Sequence, residues 1–132
     1  MVLYLNNKRE KEIKATLSKC EDVENVDDYF DQLSILREEL KQNNFFGDLT
    51  KFFSALANKK RITILNILKK KDRCVCEIEA VLGESQPAVS HHLRILEKAG
   101  LIKGWKKGKF THYDIVKEQY SRYLEMFNEE LL

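Results

Sequence analysis

From Gln86 to Lys98 the chain reads Gln-Pro-Ala-Val-Ser-His-His-Leu-Arg-Ile-Leu-Glu-Lys, a short segment dense in side chains that hydrogen-bond to base edges. Wound as a helix at ~100° per residue, Leu93 and Leu96 fall within about 40° of Val89 and make one apolar stripe. Gln86, Ser90, His91, Arg94 and Lys98 form the polar, outward set, and His92 sits at the margin of the buried stripe. The chemistry such a row can perform is base recognition. Arg pairs bidentately with guanine and Gln with adenine, while Ser and His adapt to either. Downstream, Lys106, Lys107 and Lys109 flank Gly108 at the tip of a predicted hairpin, where ammonium groups suit phosphate oxygens and position a protein on DNA without reading its sequence. Ser85 and His92 are secondary candidates for the same surface.

The second set of reactive residues is Cys74-Val75-Cys76 with a distant Cys20. Three cysteines are too few, and odd in number, for a secreted disulfide framework, which points to a reducing compartment. Thiolates bind soft metals and metalloids, and a close pair can also oxidise. Residues at i and i+2 of a regular helix lie ~200° apart, so only an irregular first turn lets Cys74 and Cys76 face one ion. Free cysteine is also a common small buried hydrophobe. Cys74 shares a stripe with Ile78 and Val81, and Cys20 one with Ile13 and Leu17. Soft-ion binding, a redox switch and core filling all stand open for these thiols.

The elements that must hold these groups are mostly helical by their apolar spacing. Residues 8–20 and 27–42 read as amphipathic helices, the second carrying Tyr29, Leu33, Leu36 and Leu40. After Asn43-Asn44, Asp48 is expected to cap a helix that buries Leu49, Phe52, Phe53 and Leu56, followed by an apolar helix around Ile62 to Leu68. A helix from Cys74 to Leu82 stops at Gly83, and Ser85 caps the next one, with Pro87 tolerated in its first turn. Two short helices joined by a glycine-containing turn are a helix-turn-helix. Beyond Gly100, Leu101 to Trp105 and Phe110 to Ile115 are β-prone runs that predict a wing, and Tyr120, Tyr123, Leu124, Phe127 and Leu131 line a last helix. The fold class expected is mostly α with a small β-hairpin wing. Residues 1–46 form a helical extension for dimerisation, and residues 47–132 form the winged helix-turn-helix with its terminal helix.

Charge distribution agrees with a nucleic-acid partner better than the net +2 over 132 residues does. Residues 1–57 hold eight Lys/Arg against eleven Asp/Glu, whereas residues 58–132 hold fifteen against ten. Within 86–113 six basic residues face Glu97 alone, a phosphate-binding footprint. No apolar stretch reaches the ~18 to 20 residues of a membrane span. The opening MVLYLNN lacks the features of a leader peptide, so the expected location is the cytoplasm. There is no nucleophile–base–orienter set, phosphate loop or paired acidic site, and no enzyme is expected.

From about Phe52 to Tyr113 the chain resembles the ArsR/SmtB metal-responsive repressors. The carriers are Phe53-Ser54-Ala55-Leu56-Ala57-Asn58 with Arg61-Ile62-Thr63-Ile64-Leu65, then Cys74-Val75-Cys76-Glu77, then Ser85-Gln86-Pro87-Ala88-Val89-Ser90-His91-His92-Leu93 with Leu96. Ala99-Gly100-Leu101-Ile102, Gly108-Lys109 and Tyr113 complete the series. The resemblance implies a homodimer on an operator that overlaps a promoter, with effector binding lowering operator affinity. A two-fold dimer would also cover the apolar stripes of both terminal regions, and it implies an inverted-repeat operator of double-stranded DNA.

The family's arsenic-sensing branch carries a third thiol three residues after the second, where this chain has Glu79. Its cadmium-sensing branch recruits cysteines from an N-terminal arm, a part Cys20 alone could play here. A thiophilic metal or metalloid ion held by Cys74, Cys76 and Cys20 is therefore the cofactor the resemblance suggests. The family's zinc site on the last helix lacks its imidazoles, since no histidine follows His112, and Asp114 is expected to cap that helix instead. Two further readings stand beside the effector-released repressor: a winged-helix protein-interaction module, and a constitutive DNA-binding regulator without metal sensing.

Overall fold

The computed structural model describes residues 6–132; the first five residues of MVLYLNN lie outside the described part. Asparagine begins three of the helices. Asn6, Asn25 and Asn58 each accept a backbone N–H of the following first turn, from Arg9 at 2.8 Å, Asp28 at 3.1 Å and Lys60 at 2.9 Å. They open α1 (Asn7–Leu17), α2 (Val26–Lys41) and α4 (Lys59–Lys70), and α3 (Phe45–Leu56) lies between the last two. A two-residue strand β1 (Arg73–Cys74) leads into α5 (Val75–Leu82) and α6 (Gln86–Lys98). The wing strands β2 (Ile102–Lys107) and β3 (Phe110–Ile115) follow, and α7 (Lys117–Leu131) ends the chain.

The chain divides into two compact units between Asn44 and Phe45. In the first, α1 and α2 are joined by Lys14, whose ammonium pairs with Glu10 at 3.3 Å and Asp27 at 2.8 Å and lies 5.1 Å from the ring centre of Phe30. Phe30 is the buried residue of α2, whereas Ile35, Leu36 and Leu40 stay exposed. Cys20 lies past the end of α1 and is exposed, so it does not continue the Ile13–Leu17 stripe and is not core filler.

The second unit holds the winged helix-turn-helix. Its core joins Phe52 and Ala55 of α3, Ile64 and Leu68 of α4, Ile78 of α5, Val89, Leu93 and Leu96 of α6, and Leu101 and Ile102 at the foot of the wing. Tyr120 and Tyr123 of α7 pack against this cluster, Tyr123 stacking on Phe52 at 4.7 Å between ring centres. Gly83 at φ 64° ends α5, and Gly100 at φ 74° follows α6, both in the left-handed region where glycine is favoured.

Several boundaries differ from the sequence-based expectation. α3 starts at Phe45, three residues before the cap expected at Asp48, and it buries Ala55 while Phe53 stays 39% exposed. Asp114 does not cap α7: it belongs to β3, its Oδ1 accepts the N–H of its neighbour Ile115 at 2.7 Å, and the N-cap residue is Val116. Lys106 and Lys107 are strand residues, so the hairpin turn tightens to Gly108-Lys109. Cys74 is not helical. It sits in extended backbone at φ −77°, ψ 161° before α5, in a strand too short for any period to reveal. β3 is the middle strand of a three-stranded antiparallel sheet, between β1 and β2.

Candidate DNA interface and thiol site

Helix α6 is held from both ends and from beneath. Ser85 Oγ accepts the Ala88 N–H at 3.3 Å, Pro87 presets the first turn, and Val89, Leu93 and Leu96 are 2% exposed or less. With that face in the core, Gln86, His91, Arg94 and Lys98 are exposed and Ser90 is half-buried, which keeps the predicted set on the surface. His92 lies apart from it. Arg61 Nη1 donates to His92 Nδ1 at 3.2 Å, and the same guanidinium donates to the Ala55 carbonyl at 2.7 Å and the Ser54 carbonyl at 3.1 Å. Burial first, then the positive charges of Arg61, His91 and Lys60, hold the His92 pKa below the ordinary histidine value. A neutral imidazole accepting from Arg61 ties α6 to α3 and α4.

The wing is built on close cross-strand pairs. Gly104 faces Tyr113, and a Cβ added to Gly104 would lie 2.7 Å from Tyr113 Cε1, so the phenol ring covers the backbone where a side chain would stand. Burial, with Glu97 adding to it, raises the Tyr113 pKa. Trp105 stacks on His112 at 6.1 Å between ring centres, and His112 Nδ1–H donates to Asp72 Oδ2 at 3.0 Å. Lys106, Lys107 and Lys109 are all exposed around the tip. Arg61 and Asp72 escape sequence reasoning because their partners His92 and His112 lie 31 and 40 residues away, and the Gly104–Tyr113 and Trp105–His112 pairs because an expected hairpin does not by itself fix its register. The β-propensity of Trp105 and Tyr113 was the one visible signal.

Cys76 lies beside both of these elements. Cys74 and Cys76 are disulfide-bonded, with Cα atoms 5.4 Å apart. The extended backbone of Cys74 removes the 200° objection, because only Cys76 is on the helix. Glu77 Oε1 accepts the Cys74 N–H at 3.2 Å, and its other oxygen pairs with Arg73 at 3.0 Å. Arg73 first, then that N–H, keeps the Glu77 carboxyl below the usual carboxylate range. Cys74 is buried, whereas Cys76 is exposed and opens into a cleft of about 280 Å³ that Gln86, Lys106 and Lys109 also line. Two thiolates are one fewer than a trivalent soft ion takes. Among the described residues no group of three His, Cys, Asp or Glu could hold a metal ion, and no helix is long and apolar enough to cross a membrane.

Residues 58–103 match the family model described as bacterial regulatory protein, arsR family. An uncharacterised HTH-type transcriptional regulator of Methanocaldococcus jannaschii is 37% identical over 78 residues, which cover 58% of this chain and 88% of that protein. The chain belongs to the ArsR family. The cadmium resistance transcriptional regulatory protein CadC of Listeria innocua serovar 6a is 34% identical over 85 residues, covering 61% of this chain and 71% of CadC. In fold, the chain is similar to a homodimeric winged helix-turn-helix DNA-binding domain of Mycobacterium bovis, described as a possible ArsR-family regulator. The TM-score is 0.55 at 24% identity, over 64% of this chain and 82% of that one. ArsR proteins are DNA-binding transcriptional regulators and not enzymes, and the matched residues 58–103 contain α5 and α6, the helix-turn-helix pair.

Proposed function

We propose that this ArsR protein is a homodimeric, sequence-specific repressor that binds inverted-repeat operator DNA in the cytoplasm and is released by chemistry at its cysteines. The observation that carries the reading is the single exposed row on α6, with its opposite face fully buried, next to a lysine-tipped wing. In this reading Arg94 and Gln86 read bases, Ser90 and His91 adjust to them, and Lys98, Lys106, Lys107 and Lys109 hold phosphates. Ser85 and His92 contribute less, since the Ser85 hydroxyl is spent on a cap and one His92 nitrogen on Arg61.

Dimerisation is supported by apolar side chains left exposed at both ends of the chain: Ile35, Leu36 and Leu40 on α2, and Leu124 and Leu131 on α7. The M. bovis domain of similar fold is itself described as homodimeric. The unit that ends at Asn44 then serves as an arm and the unit from Phe45 as the DNA-binding domain, a boundary two residues before the expected one because α3 starts at Phe45. Two α6 helices about one DNA turn, ~34 to 36 Å, apart require an inverted repeat.

The disulfide favours oxidation over ion binding as the releasing chemistry. Two thiols and one hydrogen peroxide give the disulfide and two waters, a two-electron step in which the peroxide is reduced and Cys74 and Cys76 are the only residues oxidised. The thiophilic-ion reading, suggested by a cadmium-resistance relative, needs both thiols reduced and Cys20 as a third donor. Gel-shift titration on the protein's own promoter region tests the proposal. A specific shift is expected, weakening ~10³- to 10⁵-fold between 50 and 200 mM salt for roughly 6 to 10 phosphate contacts. No specific shift at moderate salt overturns it.

A further inference from the structure

At the foot of the wing, at the other end of the hairpin from Gly108, lies a cleft of about 340 Å³. Lysines from three places converge on it: Lys69, Lys70 and Lys71 at the end of α4, Lys103 on β2, and Lys117 in the first turn of α7. All five are exposed and, among the described residues, none forms an ion pair. The acids in the lining are Asp114 and Glu118, and one Asp114 oxygen is occupied by the Ile115 N–H. Five cations against two anions leave the cleft with a positive excess of three.

Fold stability accounts for only part of this cluster. Lys69 and Lys70 suit the negative end of the α4 dipole, but Lys117 stands at the positive end of α7, where a cation is disfavoured. Lys103 faces Asp114 across the strands without closing an ion pair. Nor is the cleft part of the proposed DNA surface. Four register steps, roughly 13 Å at ~3.3 Å each, separate Lys103–Asp114 from the Lys107–Phe110 pair at the wing tip.

We propose that this cleft binds a small molecule bearing a diphosphate or longer phosphate chain. Several negative charges on adjacent phosphates match the excess of the lining, lysine ammonium groups are effective phosphate donors, and the volume is in the range of small-ligand sites. A single-phosphate or carboxylate ligand leaves part of the excess unmatched. The site is independent of the cysteines and of the operator-binding reading.

The test is calorimetric titration of the full chain with sodium pyrophosphate and with ADP, against sodium sulfate at matched ionic strength. Trp105, the one tryptophan and two residues along β2 from Lys103, gives a second readout by fluorescence. Saturable binding at one site per chain is expected for both phosphates and not for sulfate. The double variant Lys103→Ala/Lys117→Ala, with unchanged circular dichroism, should weaken it about tenfold, as expected for loss of two exposed charge contacts. Lys106→Ala/Lys107→Ala at the wing tip should leave it unchanged. Absence of saturable binding, or equal loss in both variants, overturns the proposal. So does a Lys103→Ala/Lys117→Ala protein that keeps pyrophosphate binding but loses DNA affinity, which would make the cleft a backbone contact for DNA. A missing operator shift in the wild type would instead count against the repressor reading alone.

Discussion

Cys74 stands directly opposite His112 in the antiparallel register of β1 and β3. The disulfide partner of Cys76 is thereby hydrogen-bonded into the sheet that carries the wing, and His112 in turn touches Asp72 and Trp105. Cys76 opens on the cleft that holds Gln86, Lys106 and Lys109. A change at the sulfurs therefore meets both the first residue of α6 and the wing.

Thiol titration of the denatured, unreduced protein should count one thiol, Cys20, and three after reduction. Operator affinity should differ between peroxide-treated and dithiothreitol-treated protein, and Cys76→Ser should abolish the difference. Equal affinities in the wild type would assign the disulfide a structural role.

Arg94→Ala and Leu93→Ala, adjacent in the chain, should behave oppositely. Arg94 is exposed, so its loss should leave thermal stability unchanged and relax base preference by ~1 to 3 kcal/mol at one position, read by competition gel shifts. Leu93 is 2% exposed, and its truncation should cost ~2 to 5 kcal/mol in a denaturant melt. Lys107→Ala, which removes one phosphate contact from each protomer of the dimer, should weaken binding to all sequences alike and lower the salt slope by about two.

Gly104→Ala should destabilise the wing although alanine is a small residue. Its Cβ would press into the Tyr113 ring at 2.7 Å, and displacing a packed ring costs ~1 to 3 kcal/mol. A lowered melting temperature with altered Trp105 fluorescence is expected, and in a Tyr113→Ala background, where the ring is absent, Gly104→Ala should cost little.

His92 predicts the pH response. Its pKa is depressed in the folded protein, so below the ordinary value of 6.5 the unfolded chain binds a proton that the folded chain resists. This contribution to stability is complete above about pH 6.5 and is lost as pH falls towards the depressed value. Melting temperatures between pH 7.5 and 5 should fall less steeply in His92→Gln than in the wild type.

Local chemistry alone determined the centre of this protein. Ser85, Pro87 and the Val89–Leu93–Leu96 stripe define α6 from neighbouring residues, and Gly83 and Gly100 mark its surroundings, because caps, dipoles and a 3.6-residue period act within a turn or two. Tertiary structure decided what depends on residues distant in the chain. β1 is two residues long and exists only through pairing with β3, about forty residues away. That pairing took Cys74 off the helix and made a periodicity argument about its sulfur inapplicable. The same holds for His92, whose pKa is held down by burial first and then by Arg61 thirty-one residues earlier, and for the lysine cleft, whose cations are gathered from α4, β2 and α7. Hydrogen bonds and burial between distant segments leave no spacing in the sequence, since the chain between them sets no fixed distance.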